Sequence, residues 1–237
     1  IGNHHKVTTY DEVILKYNLL YKKEIDSELL DQIFSETSFY DVYTKAVKYI
    51  SIRLRSEKEI QKYLSKYSVS PKEEQQCMDQ LKEVGLINDE RFAQAFISDK
   101  LHLSTMGPYK IRGELEKLGV SSECIAKEME HIDLSMVKDK LFGLMQKKIK
   151  ANKKYSSYMM HQKLLYYFRD LGYDTGMIEE VFSMMEKSDS SVIQKEYEKQ
   201  VKRLSKKYQG TLLQQKVKEK LYQKGFSWDE IQSVMQN

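Results

Sequence analysis

Residues 110–125, "KIRGELEKLGVSSECI", decide how the rest of the chain is read. A charged helical run reaches Leu118-Gly119-Val120, breaks, and restarts at once on Ser121-Ser122. A glycine closing a helix takes the left-handed conformation without a Cβ clash. The apolar residue after it can fold back onto the helix it leaves, and Ser is a favoured N-cap for the next one. Ile111 and Leu115 lie eight and four positions ahead of the glycine, on one helical face. The stretch predicts a helix, a tight corner and a second helix.

The corner recurs. Residues 168–178 read "FRDLGYDTGMI" and 221–231 read "LYQKGFSWDEI", which places glycines at 119, 172 and 225, 53 residues apart each time. A looser copy, "LSKYSVSPKEE" at 64–74, has Ser68 where the glycine would stand. Each break has apolar residues eight and four positions ahead: Ile60 and Leu64, Ile111 and Leu115, Leu164 and Phe168, Val217 and Leu221. An N-cap candidate follows each one: Ser70, Ser121, Asp174 and Ser227. Ser70 and Ser227 have Glu73 and Glu230 three residues on, the reciprocal capping pattern, and Pro71 suits a first helical turn. Four copies at a nearly constant period mark a tandem repeat.

A further helix precedes each corner. Tyr43, Val47, Ile50 and Leu54 form one apolar stripe; Val137, Leu141, Leu144 and Met145 form another; Ile193, Tyr197, Val201, Leu204 and Tyr208 form a third. In the second unit Asn88-Asp89 cap a helix expected to bury Phe92, Ala95 and Phe96. The expected fold is all-α, an elongated tandem array of three-helix repeats in four units: 42–87, 88–133, 134–187 and 188–237, after an N-terminal segment at 1–41. Only 2 Pro and 10 Gly among 237 residues, with 31% charged, suit long helices rather than a turn-rich β protein. The chain opens on Ile1 without Met, which implies that residues are missing ahead of it.

Chemistry-bearing motifs are absent from the sequence. It has no Gly-rich phosphate loop, no paired-Cys zinc spacing and no nucleophile elbow, so an enzyme, a cofactor and a metal site are not expected. Cys77 and Cys124 are read as reduced thiols of a cytoplasmic protein, and His102, His131 and His161 as isolated structural or surface residues. No apolar run is long enough to span a membrane.

Helix–corner–helix units invite a DNA-reading interpretation, in which the helix after the corner enters the major groove. Those helices carry Glu123, Glu128 and Glu130, then Asp174, Glu179 and Glu180, then Asp229 and Glu230. Phosphates repel so acidic a helix. Positive charge concentrates on the other helices, and the expected contact face is Arg53, Arg55, Arg91, Lys100, Lys110 and Arg112, extended by Lys147, Lys150, Lys153 and Lys154.

Three stretches, "RLRSEKEIQKYL", "GLINDERFAQAFISDKL" and "MGPYKIRGELEKLGVSSECI", resemble the RecX regulatory proteins, bacterial modulators of the RecA recombinase. The resemblance covers residues 40–132 well and the rest through the repeat pattern, and residues 10–36 are similar to the N-terminal region of the longer Gram-positive forms. It implies tandem three-helix repeats, with a fourth at 188–237 beyond the three of short members. It further implies a non-enzymatic monomer that binds the RecA filament on single-stranded DNA, inhibits recombinase, ATPase and co-protease activities, and limits filament growth. Contact with single- or double-stranded DNA is a further expectation. The alternative, drawn from the basic face alone, is a sequence-independent DNA-binding protein that acts without touching RecA.

Overall fold

A computed structural model describes residues 7–67, 69–151, 155–185 and 191–235, and every regular element among them is helical. Helix α1 (Asp11–Lys16) and a short 3-10 turn lead into α2 (Ser27–Ile52), whose 26 residues run unbroken through position 42. From α2 onward the described helices are taken in sets of three. Repeat 1 uses α2, α3 (Glu57–Leu64) and α4 (Pro71–Glu83); repeat 2 uses α5 (Asp89–Leu103), α6 (Pro108–Lys117) and α7 (Ser122–Glu130). Repeat 3 uses α8 (Leu134–Ala151), α9 (Ser157–Asp170) and α10 (Thr175–Met185); repeat 4 uses α11 (Ser191–Leu204), α12 (Gly210–Tyr222) and α13 (Trp228–Met235). The helices form two compact units: residues 1–96 with 115–128, and residues 97–114 with 129–237. Repeat 2 therefore contributes to both.

In the first unit Phe39, Val42, Ala46 and Ile50 of α2 pack on Ile60 and Leu64 of α3 and on Cys77, Met78 and Leu81 of α4. Burial there pushes the Cys77 thiol up to about 11. Of the expected α2 stripe Ile50 is buried, whereas Tyr43 and Val47 flank a core that uses Val42 and Ala46, one position earlier, and Leu54 is exposed beyond the helix end. In α5 the buried residues are Phe92, Ala93, Ile97 and Leu101, whereas Ala95 and Phe96 are half-buried. In the second unit Val137, Leu141 and Met145 of α8 are fully buried, as are Leu164 and Phe168 of α9 and Ile178 and Val181 of α10. Leu144 is half-buried beside them. Repeat 4 closes on Ile193, Leu204, Val217, Leu221, Phe226, Ile231 and Val234.

The corners follow the sequence closely. Gly119, Gly172 and Gly225 have φ of 86°, 85° and 83°. Their N–H groups donate three residues back, to Glu116, Arg169 and Tyr222, at 3.0, 2.9 and 2.8 Å. The next residues, Val120, Tyr173 and Phe226, donate five back and are buried. This paired pattern satisfies helix-end carbonyls that would otherwise lack partners. All eight apolar residues placed four and eight positions ahead of the breaks are at most 1% exposed. Ser121, Asp174 and Ser227 each cap the following helix, and Ser70 and Ser227 form full capping boxes. The first corner's Ser68 lies outside the described residues.

Candidate functional site

The corners are also joints. Ser56 caps α3 by accepting from Glu59 N–H, and its buried Oγ donates to the carbonyl of Leu118 at the end of α6, at 2.7 Å. Lys58 Nζ reaches the carbonyl of Lys117, and a Cβ on Gly119 would collide with the Lys58 side chain. One repeat later, Gly107 N–H and Tyr109 N–H at the start of α6 donate to Leu171 and Gly172 carbonyls at the end of α9, at 2.7 and 2.9 Å. Lys110 Nζ reaches the carbonyl of Asp170 at 3.1 Å, the same offset from the glycine as Lys117. At the third joint Ser156 N–H, opening α9, donates to Lys224 C=O at the end of α12, and Gly225 packs on Met159. Each joint sets the positive N-terminal end of one second helix against the negative C-terminal end of the next.

This geometry reassigns several of the expected contact residues. Arg53 and Arg55 both engage Glu59, at 2.6 and 3.4 Å. Arg55 is mostly buried, with its guanidinium 4.0 Å from the centre of the Tyr49 ring. Burial pushes the Glu59 carboxyl up, but hydrogen bonds from Arg53 and from Ser56 N–H outweigh it and hold it below the usual carboxylate range. Lys110 serves the joint. Arg91 is exposed at the start of α5, where its N–H is capped by Asn88. Arg112, Lys147 and Lys150 are exposed, Lys100 is half-buried, and Lys153 and Lys154 lie outside the described residues. The carbonyl of Lys100 accepts from Lys140, whose burial pushes its ammonium down.

A groove of ≈ 360 Å³ opens in the first unit, lined by Tyr49, Lys58, Glu59, Lys62, Tyr63, Lys66, Lys117 and Leu118. Tyr49 and Tyr63 stack on each other with centroids 4.1 Å apart. In the second unit a smaller groove of ≈ 240 Å³ includes Lys147, Lys148, Tyr167 and Leu144, with Lys148 Nζ 3.5 Å over the Tyr167 ring. The expected face left out Lys62, Lys66 and Lys117, although 58, 62 and 66 recur at helical spacing. It also missed Glu196 and Gln200, which are buried on α11; Glu196 receives both Gln200 Nε2 and Lys224 Nζ.

Polar side-chain contacts tie the helices of a repeat to one another. Lys127 of α7 pairs with Glu90 of α5, while Lys138 of α8 and His161 of α9 meet Glu180 and Glu179 of α10. Among the described residues no group of three or more His, Cys, Asp or Glu could hold a metal ion, and no helix is long and apolar enough to cross a membrane.

Comparison with known proteins bears directly on this architecture. The model of the second three-helix domain of RecX matches residues 88–129, and that of the third three-helix domain matches 189–235. Regulatory protein RecX of Halalkalibacterium halodurans is 30% identical, over 95% of this chain and 86% of its own. The chain belongs to the RecX family. RecX of Oceanobacillus iheyensis is 28% identical over 97% of this chain and 86% of its own, and RecX of Listeria innocua 28% over 99% and 89%. A crystal structure of regulatory protein RecX superposes with a TM-score of 0.66 at 18% identity, covering 73% of this chain and 85% of that one. The Lactobacillus salivarius RecX structure gives 0.60 at 20% identity, covering 62% and 96%. These two structures share the fold of this RecX-family chain, and the third-domain model lands on its fourth repeat, not on 134–187. The relatives are named as regulatory proteins.

Proposed function

We propose that this RecX-family protein regulates RecA by binding its filament on single-stranded DNA and inhibiting recombinase, ATPase and co-protease activities. The observation that carries the reading is 30% identity to a regulatory RecX protein along 95% of the chain. Four repeats give several weak contacts that act together once one has formed, because each later contact is intramolecular. Binding to the filament is tested by sedimenting the protein with preformed RecA filaments and with an equal mass of bare single-stranded DNA. Recovery with filaments well above recovery with DNA supports the reading; equal recovery opposes it.

The second reading, sequence-independent DNA binding without RecA, is favoured by the lysine-lined grooves. General single-strand binders add aromatic platforms to such grooves. Tyr155 is covered by Lys163, at 4.7 Å from the ring centre, whereas Tyr158 is 67% exposed.

A further inference from the structure

We infer that the groove between α3 and the carboxyl end of α6 is a phosphate-backbone site for single-stranded nucleic acid, one that takes the backbone and ignores the bases. Its lining chemistry points to phosphates. Lys58, Lys62, Lys66 and Lys117 all line it, so four ammonium groups border one groove. Lys58 and Lys62 stand one helical turn apart on α3, about 6 Å along its axis, and Lys66 follows just past the helix end at Leu64, a series a polyanionic chain can follow and a single small anion cannot.

The aromatic residues exclude base reading. Tyr49 has Arg55 over its ring and Tyr63 stacked against it, while Tyr63 also meets the edge of Tyr67 at 5.4 Å and lies within 5.9 Å of Lys66. Neither ring keeps a face for a nucleobase, whereas base-stacking sites present open faces. The groove is small, eight residues around ≈ 360 Å³, a size that takes a few backbone units of one strand. The groove also spans a joint, because Lys58 belongs to repeat 1 and Lys117 and Leu118 to repeat 2. A bound strand therefore ties the two repeats together at the point where Ser56 already holds Leu118.

The site deepens the filament-binding reading by naming the nucleic-acid contact, but its test omits RecA and so stands or falls separately. Fluorescence anisotropy is measured with a labelled oligo-dT and a labelled abasic oligomer of equal length, between 50 and 200 mM salt. The variants are Lys62→Glu/Lys66→Glu, Lys62→Gln/Lys66→Gln, and Lys22→Glu/Lys23→Glu, which makes the same charge change on exposed residues outside the groove. Circular dichroism checks folding, and the glutamine pair keeps the test valid if the glutamate pair unfolds. The expected result is similar affinity for both oligomers, weakened together by the groove variants, with a log–log salt slope shallower by about 1.4, at about 0.7 per phosphate contact. The inference is overturned if the abasic oligomer fails to bind, if groove variants bind like wild type, or if Lys22→Glu/Lys23→Glu weakens binding equally.

Discussion

Ser56 Oγ donates a 2.7 Å hydrogen bond to the carbonyl of Leu118, 62 residues along the chain. One buried hydroxyl thus opens α3, accepting from Glu59 N–H, and closes α6. Removing it leaves a helix end uncapped and the Leu118 carbonyl without the Ser56 hydroxyl. Ser56→Ala should cost about 2 kcal/mol in urea denaturation, against about 1 kcal/mol for Ser70→Ala, an exposed cap with no joint. Equal costs would separate the Ser56–Leu118 bond from stability.

The glycines should rank by what surrounds them. Gly85, at φ 71°, has nothing within 4 Å of an added Cβ, so Gly85→Ala should cost only the left-handed penalty, about 1–2 kcal/mol. At Gly119 the added Cβ meets a flexible Lys58 side chain; at Gly172 it meets the backbone of Lys110, which has no room to yield. Thermal melts should therefore order the losses Gly172→Ala, then Gly119→Ala, then Gly85→Ala. A loss at Gly85 matching that at Gly172 would show that conformation alone, not the joint, sets the requirement.

That ranking marks how far the sequence could be read. Gly119, Gly172 and Gly225 announce themselves by spacing, and the apolar residues four and eight positions ahead are buried because helix geometry is local. What the corner touches is not local: Lys58 and Gly119 meet across some sixty residues, and no periodicity encodes which ends abut. For the same reason Arg55 and Lys110 read as free charge in the sequence, while in the fold one sits against Tyr49 and the other on the Asp170 carbonyl. The buried Glu196–Lys224 pair was hidden similarly, since Glu196 looks like any polar residue of a charged helix.

Arg55 accordingly makes a poor probe of partner binding. Arg55→Ala strips a guanidinium from the Tyr49 ring and from Glu59 and should destabilise by about 1–3 kcal/mol. Arg91→Ala, on an exposed side chain, should stay within about 0.5 kcal/mol of wild type. Urea midpoints measure both. An Arg55→Ala midpoint equal to that of Arg91→Ala would return Arg55 to the contact face.

Acid should act through Glu59. Its carboxyl is held below the usual range in the folded chain, so its contribution is present above the ordinary carboxylate value, about 4.3, and is lost as pH falls through the folded value. Glu59→Gln should lower stability at pH 7 yet lose less on acidification than wild type. Denaturation at pH 7, 5 and 3 checks this; parallel losses would place the acid sensitivity elsewhere.

Deleting residues 188–237 removes repeat 4, whose core of Ile193, Val217, Leu221 and Phe226 is its own. The remainder should stay helical and cooperative while inhibiting RecA less well, because the stability of a repeat array is roughly a sum over its units and their interfaces. Global unfolding seen by circular dichroism would show that Ser156 and Met159 need the Gly225 corner to hold repeat 3 together.

The central claim, that the RecX-family chain acts on the RecA filament and not by coating DNA, is tested most directly by RecA ATPase activity on single-stranded DNA. The protein is titrated far below the amount that saturates the DNA. The account predicts inhibition in that range, nearly independent of added bare DNA. Inhibition that appears only at DNA-coating concentrations, and is relieved in proportion to added DNA, would contradict it.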